Sequence, residues 1–183
     1  MKRFICILIA VMTAAILLSS CSGKKDAEDT TAKTTAVQEI SDEYDEKGNV
    51  KVRNYNSPDG KLTYKTEYSY DENNNVIREK KMKADGTFDS LIEYEYKKVG
   101  DEYKESKKTV YKSEKEIDYY FSDYEYKEVV TDGVKEILTL SYIRYNADGS
   151  FFEKFHFVYD ESNALKACET LDEKGNIRTK TEY

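Results

Sequence analysis

Polar and apolar residues alternate with a period of two along much of the chain after residue 40. Between Lys61 and Tyr70, every second residue is Leu, Tyr or Thr, and the intervening positions carry Lys, Thr, Glu or Ser. The stretch from Phe88 to Tyr96 repeats this pattern. Successive side chains of a β-strand point to opposite faces of a sheet, so the alternation predicts strands with two unlike faces.

Turn-forming residues separate these segments at regular intervals. Gly48, Asn74 and Gly100 are 26 residues apart, and the same interval separates Gly60 from Gly86. Gly and Asn tolerate the positive φ angles that tight hairpin turns require. The spacing therefore predicts an all-β fold, an antiparallel meander of hairpin repeats with a period of about 26 residues and roughly 9–11 strands.

Two segments depart from the repeat. Residues 103–128 contain the charged runs KESKK and KSEKE, which could begin a short helix, but their Val, Tyr and Phe residues favour two further strands. The segment Ser150–Tyr159 is apolar on both of its faces, so we expect a strand that is covered on both sides. The denser part of the core is therefore expected in the C-terminal half.

The first 21 residues have a different pattern. Lys2 and Arg3 are followed by 15 uncharged residues from Phe4 to Leu18. A transmembrane helix needs about 20 apolar residues, whereas a charged start, a short apolar segment and small residues before a cleavage site are typical of an export signal. We therefore predict a signal peptide at residues 1–20.

The end of this segment carries a second motif. Leu18-Ser19-Ser20-Cys21 resembles the lipobox of bacterial lipoproteins, in which an aliphatic residue and two small residues precede a Cys. The resemblance implies that Cys21 receives a diacylglycerol group and becomes the first residue after cleavage. Fatty acyl chains such as palmitate would then hold the protein at a cell membrane, facing outside the cytoplasm, on the extracellular or periplasmic side. The alternatives are an ordinary signal peptide with a chance Cys, or an uncleaved anchor.

Composition divides the remaining chain into a tether and a folded domain. Residues 22–38 contain no aromatic residue and cannot form a core, so residues 21–38 are predicted to be a lipidated Cys and a flexible linker. A β-repeat domain is predicted at residues 39–183. Loss of Lys2 and Arg3 with the signal lowers the net charge from −7 by two, to −9. A protein with this charge is not expected to bind nucleic acid.

The repeat resembles a known family. The unit is similar to the tyrosine–aspartate repeats of the rearrangement-hotspot family, which read Tyr-Asp-x-x-Gly-Asn-aliphatic, then Asp-Gly, then Tyr-x-Tyr-Asp. The matching residues are Tyr44, Asp45, Gly48, Asn49, Val50, Asp59, Gly60, Tyr68, Tyr70 and Asp71. In large members of the family, many repeats wind into a β-shell around a toxin. This chain has about five repeat-like units, and for it the resemblance implies an antiparallel β-ribbon.

Candidate chemistry is limited by the residue types present, which include one His and three Cys. Cys6 leaves with the signal and Cys21 carries lipid, so Cys168 has no partner for an internal disulfide, and we interpret it as a small half-buried side chain. His156 is interpreted as a packed or surface side chain.

Neither a cofactor nor a metal site is predicted. The run from Asp71 to Asn75 resembles a calcium-binding loop, but Val76 stands where such a loop needs Gly and Met82 where it needs Glu. A turn is therefore favoured at this position.

Tyrosine is the residue type that suggests a function. Exposed rows of Tyr stack on sugar rings or pack on proteins, whereas buried rows form a core. Burial is favoured, because the chain is short of Leu and Ile for a core, and the alternative is a binding face made of Tyr64, Tyr68, Tyr70, Tyr94 and Tyr96. We expect a lipid-anchored surface protein that is not an enzyme and that binds a cell-wall glycan or an envelope protein through its sheet. The alternatives are an envelope chaperone or immunity-type lipoprotein with an apolar concavity, and a cell-wall hydrolase with an Asp/Glu pair.

Overall fold

The computed structural model describes residues 38–131 and 133–183. The predicted signal peptide, the predicted lipid site Cys21 and nearly all of the predicted linker lie outside these residues. The described residues form eleven strands, which are β1 (Glu39–Tyr44), β2 (Val50–Asn56), β3 (Leu62–Tyr70), β4 (Val76–Lys83), β5 (Phe88–Val99), β6 (Glu102–Ser113), β7 (Glu116–Thr131), β8 (Val134–Asn146), β9 (Phe151–Tyr159), β10 (Leu165–Leu171) and β11 (Ile177–Glu182).

The strands pair in chain order in one antiparallel sheet, from β1 to β11. The predicted all-β meander of hairpin repeats is therefore confirmed. Residues 103–128 lie in β6 and β7 and the turn between them, so the strand interpretation is correct there and the helix alternative is wrong. Across residues 38–131 and 133–183, no helix is long and apolar enough to cross a bilayer.

Seven of the turns share one hydrogen-bonding pattern. In the turn that begins at Asp71, the Asn74 amide donates to the Asp71 carbonyl at 3.2 Å, and the Asp71 amide donates to the Asn75 carbonyl at 3.0 Å. The fourth residue of this turn, Asn74, has a φ of 64°, and its counterpart Gly48 has a φ of 85°. The periodic Gly and Asn residues therefore occupy the one position that needs left-handed backbone. The seven turns begin at Asp45, Ser57, Asp71, Lys83, Asn146, Asp160 and Asp172.

Asp at the first position stabilises the turn through its carboxylate. Oδ1 of Asp71 accepts hydrogen bonds from the Asn73 and Asn75 amides at 2.9 and 2.8 Å. Hydrogen bonds from the Asn75 side chain and from these amides hold the pKa of Asp71 below its usual value, because they favour the ionised carboxylate. The predicted turn at Asp71–Asn75 is confirmed.

The described strands form a single layer, which leaves most side chains half-buried. Leu91 and Ser141, at 1% exposure, are the largest side chains that are fully buried. The expectation that both faces of the strand at Ser150–Tyr159 are covered is wrong, because Phe152 of β9 is 39% exposed. Neighbouring strands shield a side chain from the sides but not from above.

The two faces of the sheet differ in composition. The strand register places Tyr55 opposite Tyr64, Tyr68 opposite Glu79, and Tyr142 opposite Phe155 on one side. We call this side the aromatic face, and it carries Tyr55, Tyr64, Tyr68, Tyr94, Phe121, Tyr142, Phe155 and Phe157. The other side, the polar face, carries Ser141, His156 and Glu169 in one cross-strand row. The aromatic face is the candidate for a site because its rings lie under no second layer in the described residues.

Candidate binding site

The five predicted Tyr side chains lie on the aromatic face and are all half-buried. They form two groups, with Tyr64, Tyr68 and Tyr70 on β3 and Tyr94 and Tyr96 on β5. Between the groups lies Glu79 of β4, which pairs in register with Tyr68. Burial raises the pKa of Glu79, and a hydrogen bond from Tyr94 opposes this shift. The structure therefore brings the two predicted groups of Tyr together around one carboxyl group.

Neighbouring side chains already cover much of these ring faces. Tyr64 stacks on Tyr55 with 4.3 Å between ring centroids, and the Lys81 ammonium lies 3.9 Å from the Tyr64 centroid. Tyr94 stacks on Tyr96 at 6.5 Å, and Lys108 lies 5.6 Å from the Tyr94 centroid. These contacts stabilise the sheet and leave less ring surface for a ligand than the sequence suggested.

Four Tyr hydroxyls donate to backbone carbonyls of the neighbouring strand. Tyr96 on β5 donates to the Val76 carbonyl of β4 at 2.8 Å. Equivalent hydrogen bonds run from the Tyr70 hydroxyl to the Val50 carbonyl at 2.8 Å, from Tyr126 to Glu105 at 2.7 Å and from Tyr159 to Thr139 at 2.9 Å. In every case the carbonyl lies 20 or 21 residues earlier in the chain. The repeat therefore uses a hydroxyl at these positions that Phe would lack. Burial raises the pKa of Tyr96 to about 12.

Removal of one of these hydroxyls should destabilise the fold. We expect Tyr96→Phe to lower the free energy of unfolding by about 1 kcal/mol, because the Val76 carbonyl loses a hydrogen bond. Urea denaturation of the full-length protein measures the change. The matched control is Tyr44→Phe, since Tyr44 is exposed and its hydroxyl bonds no described residue. Equal stability of Tyr96→Phe and the wild type would contradict the assigned role.

A groove of about 610 Å³ crosses the aromatic face from β5 to β10. Of the five predicted Tyr side chains, only Tyr96 lines it. Tyr68 and Tyr70 line a separate depression with the turn between β1 and β2, and Tyr64 lines a smaller one with Glu79. The aromatic residues of the groove that the sequence prediction missed are Tyr103, Phe121, Tyr124, Tyr126, Tyr142, Phe157 and Tyr159.

Aromatic side chains form the floor of the groove. Tyr142 of β8 is the centre, with ring centroids 5.4 Å from Phe121, 5.1 Å from Tyr124, 4.9 Å from Phe155 and 5.7 Å from Phe157. These rings belong to β7, β8 and β9, which agrees with the expectation of a denser core in the C-terminal half. The base of the groove is therefore a cluster of rings in contact, centred on Tyr142.

Lysines place positive charge at the groove. Lys104 pairs with Glu102 at 2.7 Å, but no described carboxylate lies within 4.0 Å of Lys108. Lys97 donates to the Tyr124 carbonyl at 2.7 Å. The groove carboxylate, Glu105, accepts a hydrogen bond from the Tyr124 hydroxyl at 3.2 Å. Neither Lys97 nor Lys108 therefore has a carboxylate within 4.0 Å among the described residues, although the Lys108 charge opposes the rise that burial causes in the pKa of Glu79.

The polar face holds the only His of the chain. A cross-strand row on β8, β9 and β10 consists of Ser141, His156 and Glu169. A hydroxyl, an imidazole and a carboxylate side by side are also the groups of a hydrolytic triad. However, Ser141 is buried, and its hydroxyl donates to Glu125 at 2.6 Å. His156 pairs with Glu169, with 3.2 Å between Nδ1 and Oε2. A nucleophile needs an accessible hydroxyl that is bonded to its base, so this row is interpreted as structural.

The remaining candidate groups do not converge on one cleft. Glu79 lines the smaller depression and Glu105 lines the groove, although the Glu105 charge still adds to burial in raising the pKa of Glu79. Cys168 in β10 is a free, half-buried thiol, and burial raises its pKa. Among the described residues, no three His, Cys, Asp or Glu side chains are arranged to hold a metal ion.

Comparison with known proteins does not place the chain in a family. No protein-family model matches the chain, and no curated protein matches its sequence. The function is therefore inferred from the motif, the fold and the groove.

Proposed function

We propose that the protein is an exported, lipid-anchored binding protein and that its ligand, an envelope glycan or protein, occupies the groove of the aromatic face. The groove is the single observation that carries this proposal. Binding sites are typically concave and mostly apolar, with a few polar groups that orient the ligand. The groove combines an aromatic floor around Tyr142 with the charged groups Glu105 and Lys108, as such a site requires.

The rings of the groove are fixed before a ligand arrives. The hydroxyls of Tyr96, Tyr126 and Tyr159 bond backbone carbonyls of neighbouring strands, so these side chains have little rotational freedom to lose. Ordering of side chains costs about 0.5–1.5 kcal/mol for each flexible group at an interface. Fixed rings therefore favour a binding role, and no reacting group is needed for it.

The lipid anchor belongs to the same proposal and rests on the lipobox that ends at Cys21. Two acyl chains hold a protein firmly at a bilayer, because each buried methylene contributes about 0.8 kcal/mol. The predicted linker, residues 22–38, spans at most about 60 Å when fully extended. This length would let the sheet reach envelope material beyond the membrane surface.

Capture of envelope material tests the proposal. We expect the full-length protein, held in detergent micelles on a resin, to retain saturable material from an envelope extract that has been separated into glycan and protein fractions. Tyr103→Ala should weaken retention several-fold, since Tyr103 is a 42% exposed ring at the groove. The matched control is Tyr183→Ala, an exposed ring that does not line the groove. Full retention by both variants would overturn the assignment of the groove. Equal loss of retention in both variants would overturn it as well.

A further inference from the structure

We infer that the groove takes a linear acidic glycan, a chain of sugar rings that carries carboxylate groups. The inference rests on the proposed function and names the class of ligand. It follows from the backbone of the strands below the groove, the shape of the groove and its charge.

The backbone below the groove excludes one common mode of protein recognition. Each of the strands from β5 to β10 has a hydrogen-bonded neighbour on both sides. An extended peptide adds to a sheet by pairing with free backbone groups at an edge, and these strands offer none to a ligand lying on the face. Recognition must therefore come from side chains that stand on the face.

The side chains of the groove suit sugar rings. Sugar rings combine apolar C–H faces with polar hydroxyl edges, and tyrosines are the residues that match both. The hydroxyls of Tyr96, Tyr126 and Tyr159 already donate to carbonyls, so these rings offer mainly apolar surface. Glu105 supplies carboxylate oxygens that can accept hydrogen bonds from sugar hydroxyls, beside the bond it accepts from Tyr124.

The groove is long enough for several rings. It contacts residues from β5 to β10, which is five intervals between neighbouring strands. At about 4.8 Å for each interval, the groove extends for about 24 Å across the strands. A ligand of this length lies across the strands, as a linear polymer would, and a single sugar would leave most of the groove empty.

Charge selects an acidic polymer over a neutral one. The whole chain has a net charge of −7. Lys108 lines the groove, Lys97 lies beside it against Tyr126, and neither ammonium has a described carboxylate within 4.0 Å. The Lys97 ammonium lies 5.4 Å from the centroid of Tyr126, on the groove floor. These two lysines outnumber Glu105, the carboxylate that lines the groove. The local excess of positive charge attracts anions, whereas the net negative charge of the rest of the chain repels them. Carboxylates on the polymer would pair with these two lysines.

Two hexasaccharides of the same backbone test the inference. The probes are hexagalacturonate and its methyl ester, which differ in charge, and isothermal titration calorimetry with the full-length protein in detergent measures both affinities. We expect the acid to bind at least tenfold more tightly than the ester, because one hydrogen bond between charged groups accounts for about that factor. We expect Lys108→Gln to remove most of this difference.

Matched variants keep the result interpretable. Lys115→Gln removes an exposed lysine in the turn between β6 and β7, away from the groove, and should leave both affinities unchanged. Lys97→Gln provides a second test if Lys108→Gln fails to fold. Equal affinity for acid and ester would overturn the acidic ligand. If neither hexasaccharide binds but groove-dependent capture of envelope material persists, the ligand is not a glycan of this class. The proposed function then still stands. Failure of both probes and of capture would overturn both.

Discussion

Tyr142→Ala is expected to lower the free energy of unfolding by about 3 kcal/mol, at the lower end of the range for loss of a large aromatic side chain. Tyr142 contacts four other rings, those of Phe121, Tyr124, Phe155 and Phe157. In a single-layer sheet, no second layer compensates for a lost ring. The stability of β7, β8 and β9 should therefore depend on this side chain more than on any charged pair at the surface.

Two controls separate packing from other effects of the change at Tyr142. Tyr142→Phe keeps the ring and should change stability by less than about 0.5 kcal/mol. Tyr183→Ala removes a ring that is 61% exposed and should have a similarly small effect. Denaturant unfolding of the three full-length variants gives the comparison. Equal stability of Tyr142→Ala and the wild type would mean that the aromatic cluster is not the core of the sheet.

The architecture was predictable because local backbone requirements repeat along the chain. A left-handed residue is needed once in each tight hairpin turn, and Gly48 and Asn74 meet this need at 26-residue spacing. Turn position and strand length then determine which strands pair. Long-range information was not needed, because every strand pairs with its neighbours in the chain.

The groove was not predictable from the same alternation. Alternation with a period of two shows which face of the sheet carries a side chain. It does not show that Lys81 lies over the Tyr64 ring or that the Tyr96 hydroxyl donates to a carbonyl. Irregular pairing also hides the alternation in β7, where the register shifts between Ser122 and Tyr126. Most groove residues lie in or beyond this irregular part. The spacing of 20 residues between Tyr96 and Val76 was the signal that could have identified the anchoring tyrosines.

Cys21→Ser is expected to abolish lipid attachment, which is the largest effect we predict for any single substitution. In the lipobox reading, only the thiol of Cys21 can accept the diacylglycerol group. Intact-mass measurement of protein from the membrane fraction should therefore show acyl groups on the wild type and none on the variant. Phase separation in a cloud-point detergent should show a parallel shift of the protein away from the detergent phase.

The other two cysteines supply matched controls for this experiment. Cys6→Ser changes the predicted signal, and Cys168→Ser changes a half-buried thiol in β10, so both variants should keep the acyl mass. Mass is the decisive measurement, because Cys21→Ser should also block the predicted cleavage, and the retained segment at residues 1–20 is itself apolar. Partitioning alone could therefore understate the loss of the lipid. An unchanged mass in Cys21→Ser, or the same loss in Cys6→Ser and Cys168→Ser, would contradict lipidation at Cys21.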